Sequence, residues 1–161
     1  MALFFSAPSS VHEFKIQSID GQKIDLKAFR GKKILIVNTA SKCGYTKQYA
    51  GLETLSKQYK GKLVVIGFPA EDFKQELSST ALIKDFCEAN YGVSFLMSDI
   101  VSVKGEDQNE LFKYLTTADN PDFTGDIKWN FEKFLIDENG KLIHRFRSKV
   151  EPLSPELTKY L

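Results

Sequence analysis

Two short apolar runs, Lys33-Ile-Leu-Ile-Val-Asn38 and Leu63-Val-Val-Ile-Gly-Phe68, bracket a segment in which Tyr49, Leu52, Leu55 and Tyr59 recur at helical spacing. Both runs are rich in β-branched residues and lack the polar alternation of a half-wetted strand, so both faces of each need cover. A strand, a helix from about Thr46 to Tyr59 and a second strand make a βαβ unit with a right-handed crossover. Parallel strands joined this way end on one edge of the sheet. The loops that follow Asn38 and Phe68 therefore open side by side.

The remainder of the chain adds elements around that unit. His12 to Ile19 alternates apolar and polar residues, Asp20-Gly21 signals a tight turn, and Lys23-Ile-Asp-Leu returns, which predicts an N-terminal hairpin. Ser78 or Ser79 can cap a helix whose stripe is Leu82, Ile83, Phe86 and Cys87, with Gly92 as its stop. Ser94 to Met97 reads as a short edge segment. A helical pattern runs from Asp107 through Leu111, Phe112 and Leu115, and Asp119 to Gly125 reads as a loop. Phe131–Ile136 and Lys141–Phe146 flank Asp137-Glu-Asn-Gly140, a hairpin signal, and Ser154-Pro155 opens a terminal helix. The expected fold is α/β: a central mixed sheet flanked by helices, close to the thioredoxin plan, with the hairpin as an N-terminal addition. All 161 residues fit one such domain.

Composition excludes several classes. A formal net charge of +1 gives no electrostatic reason to expect nucleic acid or an anionic membrane as the main partner, and no apolar run approaches the ~20 residues of a spanning helix. The mostly basic stretch from Lys23 to Lys33 is interrupted by Asp25 and has no aromatic platform beyond Phe29, so it reads as a solvated surface. His12, His144 and two cysteines supply zinc-type ligands without any paired short spacing, so no metal and no cofactor is expected. Two cysteines are too few for a disulfide scaffold and suit a reducing compartment. The N-terminus lacks a basic signal-peptide region, which points to the cytoplasm, with export through a removed signal as the alternative.

The chemistry concentrates in Asn38-Thr-Ala-Ser-Lys-Cys43-Gly-Tyr-Thr46. Cys43 leaves the sheet at a strand's carboxyl end and enters a helix start, where backbone N–H groups favour an anion and hence a thiolate. The alternative is a buried structural cysteine, which the polar, Gly-containing loop argues against. Thr46 stands where a CxxC motif would place its second cysteine, which leaves single-thiol chemistry.

Four blocks in order, Asn38 to Thr46, Gly67-Phe-Pro69, Lys74-Gln-Glu76 and Ile127-Lys-Trp-Asn-Phe-Glu-Lys-Phe-Leu135, resemble the glutathione peroxidase family from about His12 to Arg147. The resemblance implies a peroxidatic Cys43 completed by Gln75, Trp129 and Asn130. All three partners are neutral donors able to meet a developing oxyanion. Trp129 alone would read as a buried aromatic, and Gln75 alone as a solvated loop residue. Many members read Phe-Pro-Cys-Asn-Gln-Phe-Gly-x-Gln-Glu where this chain reads Phe68-Pro-Ala-Glu-Asp-Phe-Lys-Gln-Glu76, one residue shorter and without the loop cysteine. Cys87 is then the intramolecular candidate for a resolving cysteine, and a core residue on the same face as Ile83 is the equal alternative. Glu71, Asp72 and Glu76 read as a solvated acidic loop. A short segment from Tyr114 to Ile127 resembles the monomeric, open-faced members that accept organic and lipid hydroperoxides as well as hydrogen peroxide and take electrons from thioredoxin, with glutathione as the other reductant. The competing function is a thiol redox sensor or binding module that oxidises without efficient turnover.

Overall fold

The computed structural model describes residues 2–4 and 6–161. Among these the elements run β1 (Lys15–Gln17), β2 (Lys23–Asp25), β3 (Lys33–Thr39), α1 (Gln48–Gln58), β4 (Leu63–Pro69), α2 (Thr80–Tyr91), β5 (Leu96–Met97), α3 (Glu110–Thr117), β6 (Lys133–Ile136), β7 (Leu142–Phe146) and α4 (Pro155–Thr158). The main sheet has the order β5-β4-β3-β6-β7, and β1 and β2 form a separate antiparallel ribbon. β3, β4 and β5 are parallel, whereas β6 and β7 run antiparallel to their neighbours.

The two-residue period of β3 divides the core. Ile34 and Ile36 join Ile66, Phe68, Phe134 and Ile136 against α3 and the N-terminal segment, while Leu35 and Val37 join Val65 and Leu135 against α1, α2 and α4. All four β3 side chains are fully buried, which contributes on the order of 6–12 kcal/mol. The result is the thioredoxin-like arrangement expected of this chain, a mixed sheet with both faces covered and a hairpin added at the N-terminus.

Several boundaries differ from those expected. His12 and Glu13 lie not in a strand but in a 3-10 turn, Val11–Glu13, because Ser10 and Glu13 close a reciprocal cap on it. Leu82 faces solvent, 51% exposed, and leaves Ile83 and Cys87 as the buried stripe of α2. α3 begins at Glu110 rather than Asp107, since the Asn109 side chain accepts the Leu111 N–H at 2.9 Å and fixes the first turn there. Ser154 precedes α4 as expected but makes no side-chain cap.

One buried charge stands out in the sheet. The Lys133 ammonium on β6 donates to Ser148 O at 3.1 Å and to Val150 O at 2.5 Å, and Gln48 Nε2 of α1 donates to the same Ser148 carbonyl at 2.8 Å. Burial pushes the Lys133 pKa down to about 7 against the opposing pull of Glu151 and Glu132. Elsewhere His144 stacks on Tyr160 at 3.7 Å, and His12 is buried beside Gly140.

Candidate active site

β3 and β4 end in register, Thr39 opposite Pro69, so their loops leave the sheet together. The first loop is a tight spiral rather than a free segment. Thr46 Oγ1 donates to Ala40 O at 2.9 Å and accepts the Cys43 N–H at 2.9 Å, and Thr46 N donates to Cys43 O at 3.1 Å. Thr46 therefore clamps the turn that presents the cysteine. α1 itself starts only at Gln48, and its cap Lys47 has helical φ and ψ without a side-chain bond. The turn replaces the missing cap, and the N–H of Tyr45 within it points at the Cys43 sulfur at 3.4 Å. Cys43 is half-buried, within reach of solvent.

The second loop carries Gln75. Its shortened path turns at Lys74, which adopts the left-handed φ of +59° and closes back with its N–H on Glu71 O at 2.7 Å. Gln75 is joined to the cysteine turn by its own backbone, because its carbonyl accepts the Lys42 N–H at 2.8 Å. The deletion beside Gln75 leaves it adjacent to the thiol turn.

The third component is an arch between Ile127 and Lys133. Asn38, at the end of β3, holds both of its limbs: Asn38 Nδ2 donates to Trp129 O at 3.0 Å, Asn38 Oδ1 accepts the Glu132 N–H at 3.0 Å, and Asn38 O accepts the Phe131 N–H at 2.7 Å. Phe131 takes a left-handed φ of +63° to make the bend. Glu132 is buried beneath the arch, where Oε2 accepts the N–H of Lys128 at 2.6 Å and of Trp129 at 3.3 Å, and Oε1 accepts from Arg147 Nη1 at 2.9 Å.

These supports place the neutral donors. Asn130 is fully buried, and its Nδ2 donates to Gln75 Oε1 at 3.1 Å, which leaves the Gln75 NH₂ group free of that pairing as a donor. Trp129 is not a buried aromatic: it is 38% exposed, with its ring 5.2 Å from that of Phe73. The cysteine turn, Gln75 and Asn130 thus meet at one sheet edge, and Trp129 stands beside them against the Gln75 loop.

Cys87 belongs to a different layer. It is buried on α2 in the cluster with Ile83, Tyr49 and Phe131, and burial pushes its thiol up to about 11. Its other side borders a cleft of about 410 Å³ between α2 and the β1–β2 turn, bridged by Lys84 Nζ and Asp20 Oδ1 at 2.6 Å.

The acidic loop departs from the sequence reading. Only Glu71 is exposed; Asp72 accepts from Ser102 Oγ at 2.7 Å and Val103 N at 2.9 Å, and Glu76 is buried, its Oε1 accepting the Ser41 and Leu77 N–H groups. Burial holds the Glu76 carboxyl above its ordinary value, opposed by those bonds and by Lys42. Sequence reasoning also passed over Asn38, Thr46 and Glu132 as supports. Asn38 had a signal, a lone polar residue closing an apolar run, whereas the two glutamates look like any charged loop residue.

Comparison with known proteins identifies the family. The family described as Glutathione peroxidase matches residues 11–116. A glutathione peroxidase-like peroxiredoxin of Chlamydomonas reinhardtii is 45% identical over 148 residues, 89% of this chain and 91% of the relative. A hydroperoxy fatty acid reductase of Synechocystis sp. is 42% identical over 154 residues, 91% of each chain. The crystal structure of Trgpx in apo form superposes with a TM-score of 0.73 at 34% identity, covering 94% of this chain and 95% of the other. With its family profile, its relatives and its fold in agreement, this chain belongs to the glutathione peroxidase family.

Proposed function

We propose that this chain is a thiol peroxidase that reduces hydrogen peroxide and organic or lipid hydroperoxides through Cys43. The Cys43 thiolate attacks the terminal peroxide oxygen, and the S–O bond forms as the O–O bond breaks. The peroxide proton passes to the displaced oxygen, which leaves as alcohol or water, and the sulfenate left on Cys43 takes a proton from solvent to become the sulfenic acid. Gln75, Trp129 and Asn130 supply neutral donors for the charge that moves onto the departing oxygen. The sulfenic acid then condenses with a thiol, releasing water, and a second thiol reduces the disulfide.

The observation that carries this reading is the Asn130–Gln75 amide pair, held 3.1 Å apart beside a cysteine turn that shares the Lys42–Gln75 backbone bond. Two neutral amides locked together beside a half-buried thiol fit an oxyanion site better than a core. The Trp129–Phe73 pair, with Trp129 exposed, offers an apolar rim suited to an alkyl or acyl hydroperoxide, in keeping with the hydroperoxy fatty acid reductase of Synechocystis sp.. Our reading is of a monomer reduced by thioredoxin or glutathione, with Cys87 as the first thiol in the thioredoxin cycle.

The test is peroxide consumption in the presence of each reducing system, together with intact mass after one equivalent of peroxide. Wild-type protein is expected to turn over many equivalents with thioredoxin, and to lose two hydrogens in a manner abolished by Cys87→Ser. Cys43→Ser is expected to consume none. Full activity in Cys43→Ser would remove the assignment, and oxidation that stops after one equivalent with every reductant would make the protein a sensor.

A further inference from the structure

We propose that Glu76 is a positioning residue for peroxide cleavage, its buried carboxylate fixing the Cys43 turn and the Gln75 amide at one separation. The proposal rests on the reading of Cys43 as the peroxidatic thiol. A single oxygen, Glu76 Oε1, accepts the Ser41 N–H at 3.0 Å and the Leu77 N–H at 2.8 Å. Ser41 lies two residues before Cys43, and Leu77 two residues after Gln75. One atom therefore ties together the two loops that the sheet merely places side by side.

The tie is supported from both directions. Lys42 N donates to Gln75 O at 2.8 Å, so the loops are joined by a backbone bond on one side of Glu76 and by its carboxylate on the other. Glu76 is only 8% exposed, and its second oxygen, Oε2, is buried without a hydrogen-bond partner. A carboxylate in that position costs desolvation, so loop closure alone, available to a neutral polar side chain, does not account for it. Charge strengthens each N–H bond roughly twofold over a neutral acceptor, which stiffens the pair of loops. In the reaction, the distance from sulfur to the leaving oxygen changes as the O–O bond breaks, and a donor aligned with that motion lowers the barrier only if it does not drift with its loop.

A kinetic split tests this. Peroxide reduction needs both the thiolate and the donors, whereas alkylation by iodoacetamide needs the thiolate alone, because iodide leaves without a proton. Single-turnover oxidation and alkylation of Cys43 are followed by rapid quench and intact mass in Glu76→Ala, Glu76→Gln and wild type. Glu76→Ala is expected to slow oxidation by hydrogen peroxide about 100-fold, the cost of an ångström-scale misplacement, while alkylation stays within about threefold. Glu76→Gln, whose neutral carbonyl oxygen can accept both N–H groups but holds them more weakly, is expected to recover only part of the oxidation rate and to fall between alanine and wild type. If alanine prevents folding, Glu76→Asp replaces it: its carboxylate is one methylene short and must release one of the loops.

Oxidation at the wild-type rate in Glu76→Ala overturns the proposal. So does a parallel fall of oxidation and alkylation in the alanine and glutamine variants, which would assign Glu76 to stability alone. A Cys43→Ser control that still reduces peroxide would instead defeat the reading beneath it, and the two failures are separate.

Discussion

At the scale of single residues, the site divides into groups that would touch peroxide and groups that hold them. Trp129→Phe keeps the ring against Phe73 and deletes the indole N–H. It is expected to lower kcat/KM for hydrogen peroxide by about 10- to 100-fold with little change in thermal midpoint, as measured by steady-state kinetics and calorimetry. Asn38→Ala acts from below. It removes the acceptor of the Glu132 N–H and the donor to the Trp129 carbonyl, so a loss of about 2–3 kcal/mol in denaturant unfolding should accompany a fall in activity. The difference between these profiles separates a donor from a support. Cys43, Trp129 and Asn130 stand out in the sequence as candidates because their types fit the chemistry in a recognisable order. Glu76 and Glu132 could not, because nothing in a charged loop residue tells that the fold will bury its carboxylate under backbone N–H groups.

At the scale of elements, β3 and β4 were legible because an unbroken β-branched run has few alternatives to a strand covered on both faces. α2 was legible in extent but not in orientation: Leu82, Ile83, Phe86 and Cys87 span more than one helical face, and only packing on α1 decides that Leu82 is the one turned out. The cap of α2 offers a test of how Cys87 becomes available. Ser79 Oγ accepts the Leu82 N–H at 3.2 Å, and Ser79→Ala should weaken the helix by about 1 kcal/mol. Cys87 is only 2% exposed on α2, so in the cycle proposed above it reaches Cys43 as that helix loosens. Ser79→Ala should then form the Cys43–Cys87 disulfide faster after peroxide treatment, by stopped-flow quench and mass analysis, and an unchanged rate would count against helix opening as the slow step.

For the whole molecule, buried ionisable groups set how stability follows pH. The folded pKa of Lys133, about 7, lies below the ~10.4 of an unfolded lysine, so between these values the unfolded chain binds more protons and stability rises with pH. A neutral amine also retains two N–H donors for its two carbonyl acceptors, Ser148 and Val150. Above about 8.5 Cys87 acts in the opposite sense, since its folded value of about 11 exceeds that of an unfolded thiol and the folded chain then binds more protons. From pH 7 to 8.5 the thermal midpoint should therefore climb, with a contribution of about 1–2 kcal/mol from Lys133. Lys133→Met should flatten that climb in differential scanning calorimetry, whatever it does to the midpoint itself.

The bond from Asn38 to Trp129 spans 91 positions of the chain. A ribosome adding roughly 5–20 residues per second completes Cys43 several seconds before it reaches the indole and amide that surround it. Through that interval the nascent protein owns its nucleophile but not the arch that would turn an encounter with oxidant into product. Oxidation of Cys43 should thus be slower in newly made chains, and a pulse of peroxide during translation should oxidise a smaller share of them than the same pulse given to the finished enzyme.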